Sequence, residues 1–238
     1  MSYSILNYSI YIFFGALPSI LWLQFYLRKD VKPEPKLMIL KVFFLGILAT
    51  VPAIFLETAF FEKINTLNLS EPFILFLNMF LGVALVEEFL KFFVIKEMVL
   101  DNPEFDEPVD AMIYMIVAAL GFAAGENLLI LFPLVNSGIW EELFEISLLR
   151  FLGATFLHAL SSGIIGFFIG ISFFEKEKRE KLIFQGLCFA TILHGFYNFS
   201  IIKMEKGLKM ISAFFLLMTA AVFISFGFKK LKRMAGVE

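Results

Sequence analysis

The sequence predicts an all-α fold of the polytopic membrane class, a bundle of about seven transmembrane helices, four of which form a catalytic core. Three observations predict it. Hydrophobic residues make up 60% of the 238 positions and the mean hydropathy is strongly positive, which excludes both an ordinary soluble domain and a disordered chain. Seven stretches are long enough to cross about 30 Å of hydrocarbon, which takes about 20 mainly apolar residues each. The few ionisable side chains inside those stretches recur at helical spacing. No Gly/Ser-rich linker or repeat interrupts the chain, so residues 1–238 read as one transmembrane domain with a motif-bearing core over about 73–202.

The spans run near 5–26, 37–60, 73–95, 111–134, 147–174, 182–202 and 210–228. The first has no basic segment before it and is too long for a signal-peptide core, so it is expected to stay in the mature protein. Prolines mark where spans begin: Pro33 and Pro35 before the second, Pro72 before the third, Pro103 and Pro108 before the fourth. Asp110 is placed to cap the fourth helix, where an acidic oxygen meets free backbone N–H groups. Gly121 with Gly125, and Gly166 with Gly170, stand four apart, the spacing that lets membrane helices approach closely. The sixth span is polar in its middle, with His194, Tyr197 and Asn198. The 33 phenylalanines read as bulk for lipid-facing and packing surfaces. Cys188 is the single cysteine, which excludes an intrachain disulfide and a thiolate metal cage.

A formal net charge of −2 decides little, because placement of Lys and Arg sets orientation. Arg28, Lys29, Lys32 and Lys36 fill the first connection, Lys176, Lys178, Arg179 and Lys181 the fifth, and Lys229, Lys230, Lys232 and Arg233 the tail. With seven spans these segments share one side. The expectation is a cell-membrane protein with its N-terminus outside and its C-terminus cytoplasmic, although Lys203, Lys206 and Lys209 fall on the other side. The partners expected are the lipid bilayer and a membrane-anchored protein, not nucleic acid.

Charged groups at membrane depth cost at least a few kcal/mol each, so they mark function by default. In the third span Glu87 and Lys91 are four apart and share a face, with Glu88 about 100° further round. A Glu87–Lys91 pair is expected to lower the cost of burying both and leave Glu88 free for chemistry. The fourth span offers Glu126 and Asn127, with Phe122 one turn earlier. The fifth offers Arg150, His158 and Ser162 on one stripe, and the sixth His194 and Asn198. Both histidines of the chain belong to this set.

Three carboxylates and two imidazoles suit two routes to hydrolysis. They can bind a divalent ion such as zinc, with His158, His194 and Glu126 as ligands. Alternatively a buried glutamate, Glu87 or Glu88, acts as base on water while His158, His194 and Asn198 stabilise the oxyanion. The spacing fits no HExxH helix, which tilts the reading toward the glutamate route. Lys91, Asn127, Arg150 and Ser162 read as supporting residues that hold carboxylates in place. The alternatives are an ion- or proton-coupled transporter using the same groups as a path, whose inverted repeats are not visible, and a non-catalytic scaffold.

Glu87-Glu88-Phe89-Leu90-Lys91 resembles the EExxK motif of the PrsW intramembrane proteases, relatives of the CAAX prenyl proteases and bacteriocin-processing enzymes. Phe122-Ala123-Ala124-Gly125-Glu126-Asn127 resembles the FxxxEN motif of that family, and Glu107-Pro108-Val109-Asp110 its EPxDG lead-in, with Ala111 in place of the glycine. His158 with Ser162, and His194 with Asn198, are similar to the remaining two motifs. The likeness covers about residues 87–198 in family order. It implies hydrolysis of a peptide bond within or beside the membrane, in that family the bond of a single-span anti-sigma factor.

Overall fold

The computed structural model describes residues 2–30, 32–137 and 140–236, whose regular structure is entirely helical. In order these are α1 (Ser2–Leu27), α2 (Lys36–Asn65), α3 (Glu71–Leu77), a π-helical stretch (Asn78–Leu85), α4 (Val86–Met98), α5 (Pro108–Ser137), α6 (Trp140–Leu152), α7 (Ala154–Ser172), a 3-10 turn (Lys176–Lys178), α8 (Arg179–Lys203) and α9 (Lys206–Ala235). Seven stretches among them are long and apolar enough to cross a membrane: Asn7–Leu27, Lys36–Asn65, Glu71–Met98, Pro108–Leu134, Trp140–Ser172, Lys176–Lys203 and Met210–Ala235. They correspond one for one to the predicted spans. Lys203 closes α8, while the side chains of Lys206 and Lys209 lie outside the described residues.

Helix α5 is the axis of the bundle because its small residues admit neighbours on every side. All residues from Ala111 to Gly125 are buried, and α5 packs against α7, α2 and α1. A Cβ on Gly121 would overlap the Phe43 carbonyl, and one on Gly46 the Ala118 carbonyl, so the crossing of α2 and α5 requires glycine from both helices. Gly166 and Gly170 likewise lie against the backbone of α5 at Ala111, Met112 and Pro108. The four-residue glycine spacings thus serve as the sequence reading expected. Bulk faces outward: Phe44, Phe55, Phe184, Phe215 and Phe226 are all exposed on the apolar girdle.

Two spans are not simple helices. In the third, the π-helical stretch interrupts the helix just before Glu87, a departure that recurs at functional sites. It is packed tightly from two sides, with Gly195 of α8 against Phe80 and its own Gly82 against Phe60 and Phe61 of α2. In the fifth, the helix breaks at Gly153, whose φ of −110° and ψ of −89° leave the helical region. A side chain there would overlap the Tyr197 hydroxyl. The carbonyl of Phe151 freed by the break accepts a hydrogen bond from Trp22 Nε1 at 2.9 Å. This corrects the single stripe expected for Arg150, His158 and Ser162: Arg150 sits on α6 and the other two on α7.

The connections before α2 and before α5 meet at one end of the bundle, where Lys32 pairs with Glu107 and Tyr114 donates to Glu34. Phe105 and Phe173, with ring centroids 5.0 Å apart, bring the connection after α7 to the same end. Asp110 sits in the first turn of α5 rather than at its cap. Its Oδ2 accepts from the backbone N–H groups of Glu107 at 2.7 Å and Asp106 at 3.2 Å, so it caps the terminus by reaching back to the residue before the helix.

Candidate active site

Glu88 lies ten residues before the end of α4 at Met98, about 15 Å along the helix axis. There it is wholly buried and accepts four hydrogen bonds. Oε1 takes Lys91 Nζ at 2.9 Å, Ser161 Oγ at 2.9 Å and His194 Nδ1 at 2.8 Å. Oε2 takes Ser162 Oγ at 2.7 Å. Glu88 is therefore the fixed carboxylate of the pair, which corrects the expectation that it would be free. Lys91 stands three residues after Glu88 and four after Glu87, both helical neighbour spacings, so its ammonium reaches both: Nζ is 3.1 Å from Glu87 Oε2.

The same ammonium approaches His158 Nδ1 at 2.8 Å and lies over the Phe122 ring, 4.5 Å from its centroid. Lysine has only protons to offer, so Nδ1 of His158 carries a lone pair and its Nε2–H points to Glu126 Oε2, 2.8 Å away. His194 is held the other way round, with Nδ1–H donated to Glu88 and Nε2 open. The two imidazoles meet edge to face, with centroids 5.1 Å apart. Each sets that nitrogen near Glu87, whose Oε2 is 3.6 Å from His158 Nδ1, where Lys91 takes the lone pair, and 3.8 Å from the open Nε2 of His194.

Glu126 is clamped by Arg150, whose Nη2 is 3.0 Å from its Oε2 while its Nε donates to Asn127 Oδ1. Asn127 Nδ2 in turn donates to the Gly15 carbonyl at 3.1 Å and to Thr155 Oγ1 at 3.3 Å. The break at Gly153 thus has a use: it lets α6 bring Arg150 to the α5 carboxylate while α7 brings His158 to its other side. Of the three glutamate side chains, Glu126 is 28% exposed, against 3% for Glu87 and 0% for Glu88, which makes it the open edge of the cluster.

The structure gathers Glu87, Glu88, Lys91, Glu126, Asn127, Arg150, His158, Ser162 and His194 into one network. Asn198 is half-buried one turn beyond His194, and among the described residues no hydrogen bond joins it to the network. Sequence reasoning missed Ser161 and Thr155, whose hydroxyls complete the shell. It also missed Glu57, half-buried on α2 and within electrostatic reach of Glu126 and Lys91. Ser161 was findable, since it stands three residues after His158 just as Ser162 stands four.

The donor set has the chemistry of a zinc-class site: two imidazole nitrogens and one carboxylate oxygen, each within 4.8 Å of the others. Ligand histidines normally hand their second nitrogen to a carboxylate, as His158 does to Glu126 and His194 to Glu88. Glu126 therefore occupies the outer nitrogen of His158, and Glu87 takes the inner position that the sequence reading gave to Glu126.

The chain matches the family model described as "PrsW family intramembrane metalloprotease" over residues 34–226. It is similar to Protease PrsW of Geobacillus kaustophilus, 33% identical over 194 residues that cover 81% of this chain and 80% of that one. Protease PrsW of Oceanobacillus iheyensis is 31% identical over 205 residues, covering 86% of both chains. Protease PrsW of Bacillus subtilis is 31% identical over 226 residues, 94% of this chain and 95% of that one. No solved structure matches it.

Proposed function

Because this chain belongs to the PrsW family of intramembrane proteases, we propose that it cleaves a membrane-anchored protein at the Glu87, His158 and His194 cluster. It is a hydrolase and a multi-pass membrane protein; nothing in the relatives supports an ion-path reading. The observation that carries the site is the placing of the rings: the two imidazoles set a nitrogen 3.6 and 3.8 Å from Glu87 Oε2 and give their N–H to a second carboxylate.

A zinc-class ion held by Glu87, His158 and His194 would supply Lewis acidity toward a peptide carbonyl and water. Glu88 and Glu126 fix the two ring tautomers, and Arg150 holds Glu126 against His158. Formally, three carboxylates face Lys91 and Arg150, leaving one negative charge to receive a cation. Water reaches the cluster at the Glu126 edge, and a peptide is presented there from the bilayer. Ser161 and Ser162 hold Glu88 in place without touching substrate.

Lys91 favours a second reading. Its ammonium already sits 2.8–3.1 Å from His158 Nδ1, Glu88 and Glu87, the position an ion would contest. In that reading Lys91 is the resident cation and Glu87 takes the proton from the attacking water. The substrate class we propose is a single-span protein of the anti-sigma-factor kind, with the three joined connections and the tail on the cytoplasmic side, in keeping with the wider likeness to the CAAX-protease and bacteriocin-processing enzymes. Purified protein in liposomes with a single-span substrate is expected to cut it, and His158→Ala to abolish the cut. A variant that cuts at the wild-type rate would refute the assignment.

A further inference from the structure

A second group of acidic residues lies outside the active site, where the connection before α2 meets the start of α5. Asp30, Glu107 and Asp110 each bring one oxygen within 4.8 Å of the others. Glu107 and Asp110 are only 6% and 1% exposed. Glu107 Oε2 and Asp110 Oδ1 are sealed from solvent and accept no hydrogen bond. A buried carboxyl oxygen without a partner is costly, and here two side chains of one cluster each have one.

The surroundings relieve the charge only in part, and the Glu34 backbone N–H takes Asp30 Oδ2 at 3.2 Å. Lys32 takes the other oxygen of Glu107, but its own side chain is largely exposed. Backbone N–H groups take the other oxygen of Asp110. Glu34 enters from the same connection, with Tyr114 bonded to one oxygen and its carboxyl within hydrogen-bonding range of Asp110. Two carboxylates at that range need something positive between them. All the donors are hard oxygens, with no imidazole or thiol among them, which suits calcium or magnesium rather than zinc. Opposite ligands of a calcium ion at 2.3–2.6 Å stand about 4.6–5.2 Å apart, so three oxygens that all lie within 4.8 Å of one another fit around one ion.

We propose that Asp30, Glu107 and Asp110, with Glu34 beside them, bind a hard divalent cation of the calcium or magnesium class that fastens the α1–α2 connection to the first turn of α5. The site is independent of the hydrolytic cluster. It would fix the end of the helix that carries Glu126, so an ion at the membrane surface could set the order of the active-site bundle.

The test uses the full-length protein in detergent, stripped of metal, with terbium as a calcium probe excited through tyrosine, since Tyr114 touches Glu34. Saturable terbium emission displaced by calcium or magnesium is expected. Asp110→Asn should weaken it at least tenfold and Asp30→Asn at least threefold, with Glu87→Gln unchanged. Asp30 lies in the connection rather than in a packed helix, so its variant decides the matter if Asp110→Asn fails to accumulate. No saturable emission in the wild type would overturn the proposal, a shared proton then holding the carboxyls together. So would emission retained at full strength in both aspartate variants, or emission lost only in Glu87→Gln, which would place the ion in the hydrolytic cluster.

Discussion

Replacing Glu88 by alanine separates the two adjacent glutamates more sharply than any other single change. The carboxylate accepts from Lys91, Ser161, Ser162 and His194 at 2.7–2.9 Å with no exposed surface. Breaking a buried ion pair from one side costs about 3–5 kcal/mol, and each donor left unsatisfied about 1–3 kcal/mol. Lys91 keeps Glu87 and His158 as partners, so the lower range applies, about 3–5 kcal/mol in total. For a chain of this size that lowers Tm by about 10 °C. Glu87→Gln removes a charge but leaves an oxygen for Lys91 and disturbs one bond at 3.1 Å, so about 1–2 kcal/mol is expected. Thermal unfolding of both variants in the same detergent gives the comparison. A Glu88→Ala protein melting within a degree or two of the wild type, or above Glu87→Gln, would refute the reasoning that Glu88 is the structural carboxylate.

Three further outcomes are expected. Gly121→Leu should destabilise by about 1–3 kcal/mol or more through overpacking against Phe43, read as a lower Tm, whereas a lipid-facing change such as Phe55→Leu should leave it within about 0.5 kcal/mol. Arg150→Gln should lower kcat about tenfold or more, by freeing Glu126 and with it His158, while leaving KM nearly unchanged and lowering Tm by only a few degrees through the bonds lost to Glu126 and Asn127, measured on the liposome-bound substrate. Metal analysis should find one zinc-class ion per chain, lost on chelation together with cleavage and restored with it; activity that survives chelation intact would favour the Lys91 reading.

All seven spans were legible, because length and apolarity alone decide whether a segment can cross a bilayer. The interruptions inside them were not. The π-helical stretch and the break at Gly153 depend on Phe80 meeting Gly195 and on Gly153 meeting Tyr197, contacts between residues far apart in the chain. That these residues would gather was legible for a related reason: carboxylates and imidazoles inside hydrophobic segments have few other uses. The division of labour among them was not. Spacing says that Lys91 can reach Glu87 or Glu88, but only the rotation of α4 against α7 and α8 decides which carboxylate meets Ser161, Ser162 and His194. The packing of α5 against α7 put Glu126 at the outer nitrogen of His158, and Asn198 was left aside, though it shares the stripe of His194.

Cleavage by Glu87→Gln measures the central claim most directly. Wild-type protein and variant, each in liposomes with the same single-span substrate and each shown to melt within a few degrees of the other, should differ in initial rate by at least 100-fold. Equal rates would contradict the account, since the carboxylate on which both imidazoles converge would then have no part in the reaction.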